Sequence, residues 1–338
     1  MSKNYILKWP GGEINISSLG CMMVPKFKLD DKFVVPLHSG NWINDRSQEY
    51  DNLPGILKQL SGEFPCVPFG INSPVEQLSS EWSNCYSEEP YVINEPHGYA
   101  ANNDWESTEI SDLKIKFKIS YPQNDNIDYL IRTIEVSENK IHTIKCSLEI
   151  AVKKDCSLPI GLHPMIKIPS KKNKVKIIPG NFQFGLTYPG LVLSDKTLGA
   201  IGKEFTTIEN VPGFQGSDVN ISQPPFEGNY EDLFQLCGID GNMMIENYED
   251  NYRLKYSWNP DHFTSVLLWL SNKGREEYPW NSSHITCGLE PITSAFGLST
   301  HVSNNLTNPI HSRGVPTSLK FFKNQNWKTE YSFFVEKI

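Results

Sequence analysis

LKIKFKI, residues 113–119, alternates apolar and charged side chains at every step, with Leu113, Ile115, Phe117 and Ile119 set against Lys114, Lys116 and Lys118. A period of two sends successive side chains to opposite faces of an extended chain, so one face is apolar and the other wet. The same pattern returns in IKCSLEI (144–150), where Ile144, Cys146, Leu148 and Ile150 oppose Lys145, Ser147 and Glu149, and in YRLKYSW (252–258). Half-wet alternation of this kind marks antiparallel sheets. Gly, Pro, Asn and Asp punctuate these runs at hairpin and loop spacing. LPGILKQL (53–60) predicts one short helix, and no long stripe of period 3.6 appears. Neither GxGxxG nor GxxxxGK[ST] occurs, which removes the nucleotide-binding α/β folds. The expectation is all-β: a large antiparallel β-sandwich formed as a single domain over residues 1–338, with long loops near 61–100 and 209–232.

The whole-chain numbers fit that class. Of 338 residues, 38% are hydrophobic, 12% aromatic and 21% charged, which is ordinary for a soluble globular protein. A net charge of −8 argues against nucleic acid as a partner, because phosphate binding needs clustered Lys and Arg. The one basic cluster, Lys171, Lys172, Lys174 and Lys176, reads as a solvated face. Seven cysteines form an odd set without a CxxC pair, which is neither a disulfide framework nor a zinc spacing. Free thiols point to a reducing compartment. The opening residues, MSKNYILKWPGGEI, lack a signal-peptide apolar core. The apolar run VLLWL (266–270) is far shorter than the ~20 residues that cross a membrane. The chain is therefore expected to be cytoplasmic, a monomer or homodimer, with no nucleic-acid or membrane partner.

Three segments carry candidate chemistry: HGYAANNDW (97–105), GLHPMIKIP (161–169) and CGLEPITSAF (287–296). His97 lies between Pro96 and Gly98, where the backbone can turn sharply. Trp105, eight residues on, is either an aromatic wall or a core residue. His163 sits among apolar neighbours and must find a hydrogen-bond partner or face a cavity. Glu290, between Leu289 and Pro291, needs a nearby cation or an opening onto a pocket. Two imidazoles and a carboxylate form a set suited to general acid/base chemistry, with no metal, cofactor or covalent intermediate required.

The order and texture of these segments resemble the aldose 1-epimerase (galactose mutarotase-like) superfamily. HGYAANNDW is similar to its HGFAR…W segment, GLHP to its second histidine segment, and GLEP to its late carboxylate segment. YLIRTIEVSENKIHTIKCSLEI (129–150) resembles the family's Arg-bearing hairpin, and LLWLSNKGREEYPW (267–280) the stretch before the carboxylate in bacterial members. The resemblance spans roughly residues 10–336. It implies a supersandwich of antiparallel sheets with a sugar cleft across one of them, and interconversion of the α and β anomers of an aldose through ring opening, rotation about C1–C2 and reclosure. By position, Glu290 would be the general base and His163 the general acid. His97 would hydrogen-bond the sugar and stabilise charge at the ring oxygen. Trp105, Trp280 and Tyr99 are candidates to stack on the pyranose, Asp232 in NYEDLFQL to accept from a sugar hydroxyl, and Arg132 to bind substrate.

One position departs from the pattern. Ala101 stands where the HGFAR segment ends in Arg, a residue that helps bind phosphate in relatives acting on hexose 6-phosphates. Its loss favours a free sugar over a phosphorylated one, although Arg132 or Arg275 could compensate. Two alternatives stay open: a sugar-binding protein that turns over little or nothing, and a hexose-6-phosphate 1-epimerase. A hydrolase would want a second carboxylate, and only Asp232 is on offer from the sequence.

Overall fold

The alternation in 113–119 continues through the strand Lys114–Ser120, where Ile115, Phe117 and Ile119 are buried and the lysines between them are not. Thr143–Val152 and Tyr252–Trp258 behave in the same way. The structure, a computed structural model, describes residues 2–71, 78–85 and 93–338; the parts of the expected 61–100 loop at 72–77 and 86–92 lie outside the described residues. Strand makes up 43% of the chain against 7% helix, so the all-β expectation holds.

Two eight-stranded antiparallel sheets dominate. In spatial order the first runs Val175–Pro179, Asn242–Asn247, Tyr252–Trp258, Trp327–Lys337, Thr143–Val152, Ile127–Val136, Lys114–Ser120 and Glu106–Ile110. The second runs Glu204–Phe205, Phe184–Thr187, Tyr230–Cys237, Ser265–Asn272, Ile285–Thr293, Ile160–Leu162 and Pro65–Cys66, with Met165–Lys167 also paired to Ile285–Thr293. Four shorter strands from Asn4–Trp9 to Lys32–Val34 form a sheet of their own, whose Leu7, Ile14 and Phe27 join the main core. That core takes Ile115, Phe117 and Ile134 from the first sheet and Val266, Leu268 and Leu289 from the second, which makes the pair a sandwich.

The second sheet is covered on both faces. Ser265–Asn272 is buried at every position. Val266, Leu268 and Leu270 enter the main core, while Leu267 and Trp269 enter a second apolar cluster built with Trp42, Ile56, Phe64, Phe296 and Val302. The expected helix in 53–60 is present as the single turn Gly55–Lys58, and it forms part of this second cover.

One charged group sits inside the sandwich. Arg132 belongs to the inward face of Ile127–Val136 together with Leu130 and Ile134, and its side chain is fully buried. Its guanidinium donates to the Glu63 carboxylate and to the Cys21 carbonyl oxygen, and the Tyr331 hydroxyl donates to the other Glu63 oxygen at 3.1 Å. Arg132 therefore closes a structural ion pair rather than reaching a ligand. Removing one member of such a pair strands a buried charge, at about 3–5 kcal/mol. Arg132→Met is expected to lower the unfolding free energy by that amount, and Arg132→Met with Glu63→Gln by less. Urea titration of the two variants beside wild type tests this, and equal losses would contradict it.

Candidate active site

His163 and Glu290 meet because of strand register. Gly161 pairs with Ile292 and Met165 pairs with Gly288, so the same antiparallel register runs on either side of the break at His163 and Pro164. Position 163 thus lies opposite 290, and directly opposed residues on one face of a sheet bring their side chains together. The His163 Nε2 stands 3.4 Å from Glu290 Oε1, with both residues buried. On its other side Glu290 pairs with Leu267. Two backbone bonds pin the break: the His163 N–H donates to the Phe64 carbonyl at 2.9 Å, and the Leu289 N–H to the Pro164 carbonyl at 2.9 Å.

Gly288 explains the spacing in CGLEP. A methyl group on its Cα would fall well inside van der Waals contact with Glu290 Oε1, so the carboxylate occupies space that only glycine leaves free. His97 takes a left-handed conformation (φ +59°), which is uncommon for a residue with a side chain. Gly98 follows at φ +82°, where a Cβ would collide with the Val67 carbonyl, and this accounts for the His-Gly pair. The His97 N–H donates to the Gly70 carbonyl at 2.8 Å. Its ring stands edge-on to His163, with centroids 5.2 Å apart. Phe64 stacks flat on the His163 ring at 4.7 Å.

All three groups line one cavity of about 300 Å³, in the size range of a small-ligand pocket. Trp269 and Trp280 form an aromatic wall, with Ile56 and Leu57 from the short helix among the aliphatic neighbours. Behind the wall, His284 stacks on Trp269 at 5.8 Å, meets Trp280 at 4.8 Å, and shares a hydrogen bond with His38 at 3.0 Å.

The other sequence candidates separate. Trp280 lines the cavity. Trp105 does not: it is a core residue whose indole N–H donates to the Ala100 carbonyl at 2.9 Å. Tyr99 packs on Tyr121 at a different surface recess. Asp232 points to the opposite face of its strand, where it accepts from the Leu198 and Gly199 N–H groups at 2.8 Å. Its neighbour Glu231 falls on the cavity side, accepting from Trp269 Nε1 at 2.6 Å and from Arg275 Nε at 2.8 Å. Arg275 lies over the Trp280 ring and lines the cavity, whereas Arg132 does not. Ala101 is fully buried in the second apolar cluster. Sequence reasoning passed over Trp269, Tyr188 and Glu231. The alternation in VLLWLSN, which puts Leu267 and Trp269 on the face opposite Val266 and Leu268, was the available signal for the first.

Burial governs protonation here. It pushes the Glu290 carboxyl well above the ordinary carboxylate range and holds His163 well below the ordinary imidazole range; His97 is pushed down to about 4. Each group therefore favours its neutral form. Among the described residues, no cluster of three or more His, Cys, Asp or Glu is arranged to hold a metal ion, and no helix is long and apolar enough to cross a membrane.

Over its whole length the chain superposes on solved structures. A candidate aldose 1-epimerase of Escherichia coli K12 matches at TM-score 0.66 and 14% identity, with 100% of each chain covered. A galactose mutarotase related enzyme of Lactobacillus acidophilus matches at TM-score 0.62 and 11% identity, covering 99% of this chain and 98% of that one. The chain has the galactose mutarotase-like fold. An aldose epimerase homologue of C. elegans shares it at TM-score 0.61 and 11% identity, with 100% of each chain covered. No protein-family model and no curated protein matches the sequence.

Two outcomes follow from the geometry. Gly288→Ala should leave the protein folded while displacing the Glu290 carboxylate from His163. Imidazole nitrogen shifts in labelled protein would report the lost contact, and an unchanged His163 signal would contradict it. His38 is held down to about 4 by burial, so its contribution to stability is present above pH 6.5 and is lost as the pH falls towards 4. His38→Gln should thus be less stable than wild type at pH 7.5, with the deficit narrowing as the pH falls through that window. Paired urea midpoints at several pH values measure it.

Proposed function

We propose that the protein is an isomerase of the aldose 1-epimerase type acting on a free aldose. The observation that carries the proposal is the opposition of His163 and Glu290, 3.4 Å apart on the wall of a monosaccharide-sized cavity. Anomer exchange needs one group to remove the proton of the anomeric hydroxyl and another to protonate the ring oxygen. Glu290 serves as the base, His163 as the acid, and His97 hydrogen-bonds the ring-oxygen side of the sugar. The pair works with one proton between its two members. Burial keeps that proton on the carboxyl before substrate enters. A sugar hydroxyl donating to Glu290 then favours its ionised form, and a ring oxygen accepting from His163 favours the imidazolium. The opposed shifts of the two groups widen the pH range in which a single proton is held: a lowered imidazole extends it on the acid side and a raised carboxyl on the alkaline side. Trp269 and Trp280 supply flat apolar surface against a pyranose face.

A second reading, a sugar-binding protein without turnover, is favoured by one observation: Ala101 is buried and brings no guanidinium to the first segment. Exchange NMR on aldoses separates the two. Glu290→Gln and His163→Gln are each expected to lower kcat by about 10²–10⁴-fold. Saturable binding with no acceleration in wild type would select the second reading.

A further inference from the structure

The wall of the cavity carries few hydrogen-bonding side chains among the described residues. Among the described residues, the polar side chains that line it are His97, His163, Tyr188, Arg275 and Glu290, with the indoles of Trp269 and Trp280. Three of these are already assigned to the anomeric hydroxyl and the ring oxygen. The Trp269 indole N–H donates to Glu231 at 2.6 Å and so is committed to the protein. The same cavity is lined by aliphatic side chains, among them Ile56, Leu57 and Leu60 from the 53–60 segment, together with Leu233 and Leu267 from the sheet. Ile56, Leu60 and Leu267 belong to the second apolar cluster, with Leu57 and Leu233 packed against it, so the core itself reaches the cavity here.

A hexopyranose brings hydroxyls on C2, C3, C4 and C6 besides its reacting centre. Each hydroxyl that loses water without gaining a partner costs binding free energy. Arg275 and Tyr188 can satisfy some of them, but a hydroxymethyl arm turned to Ile56, Leu57 and Leu60 would meet hydrocarbon side chains. Replacing that arm by a methyl group removes the unpaired hydroxyl and gives the aliphatic wall a matching surface. Of the single-hydroxyl deletions on a hexopyranose, only the one at the exocyclic C6 leaves a methyl, the largest apolar group on offer.

We propose that the substrates of this site are 6-deoxyhexoses, the exocyclic methyl packing on the Ile56, Leu57 and Leu60 surface. The proposal rests on the isomerase reading for the orientation of the sugar, while its selectivity is visible in binding alone. The test uses two matched pairs, fucose with galactose and 6-deoxyglucose with glucose. Dissociation constants come from calorimetry, and kcat/KM from anomer-exchange NMR. An apolar pocket discriminates against an added hydroxyl by on the order of 10–100-fold, so each 6-deoxy sugar is expected to bind more tightly than its parent within that range. Leu57 is half-buried, so Leu57→Gln should fold and should narrow the preference by giving the C6 hydroxyl a partner. Parent hexoses that bind as tightly as their 6-deoxy partners would overturn the proposal, as would failure of all four sugars to bind. A 6-deoxy preference in binding without accelerated exchange would sustain it and overturn the isomerase reading instead.

Discussion

The buried contact between Arg132 and Glu63 ties together the first large sheet, the segment that leads to His163's partner Phe64, and the N-terminal sheet. Arg132 comes from the middle of the first sheet, and Tyr331, on the strand Trp327–Lys337 of that sheet, holds the second Glu63 oxygen. Glu63 pairs through its backbone with Met23 of the N-terminal sheet. The next residue, Phe64, accepts the His163 N–H and stacks on its ring. A charge in the sandwich core is thus one residue away from the group that orients the imidazole. Such a pair gains little over apolar packing in free energy, but it permits few alternative arrangements, because any shift strands a charge away from water.

The site is also a product of the second sheet being covered twice. A sheet with one wet face would expose Glu290 and Trp269 to solvent. Here the second apolar cluster closes over that face and leaves a hollow against the strand Ile285–Thr293. Water is thereby kept from the pair, which is why the carboxyl and both imidazoles are driven towards their neutral forms. The cavity wall and the core are made of the same residues, so the polarity of the pocket follows from how the sheet is covered.

Much of the fold was legible, because period-two alternation reports directly on a half-buried strand. The runs at 113–119, 144–150 and 252–258 lie on strands of the first sheet, whose outer face is wet. The second sheet was less visible, since a strand buried on both faces, such as Ser265–Asn272, alternates between two apolar clusters and so shows no contrast of apolar with polar residues. Sequence order brought His97, His163 and Glu290 forward as a set, and the fold gathers them around one cavity. The binding candidates fared unevenly for reasons of parity and partnership. Asp232 and Glu231 differ by one position and so point to opposite faces. Arg132 sits on the inward face of its strand, but no local pattern announces a partner such as Glu63, 69 residues away. Trp105 and Tyr99 lie close to His97 in sequence, but the left-handed turn at His97 and Gly98 sends the chain away from the cavity.

The break between Leu162 and Met165 is only His163 and Pro164 long, with paired strand on both sides. Gaining or losing a single residue there would put the flanking strands out of step, so that one of them had to turn its core side chains outward. A change of length costs least where no register is at stake, such as the turn at 214–217 between the bridged positions Val211 and Val219. Turns of that kind can lengthen while the spacing of 163 against 290 stays fixed by the hydrogen-bond ladder itself.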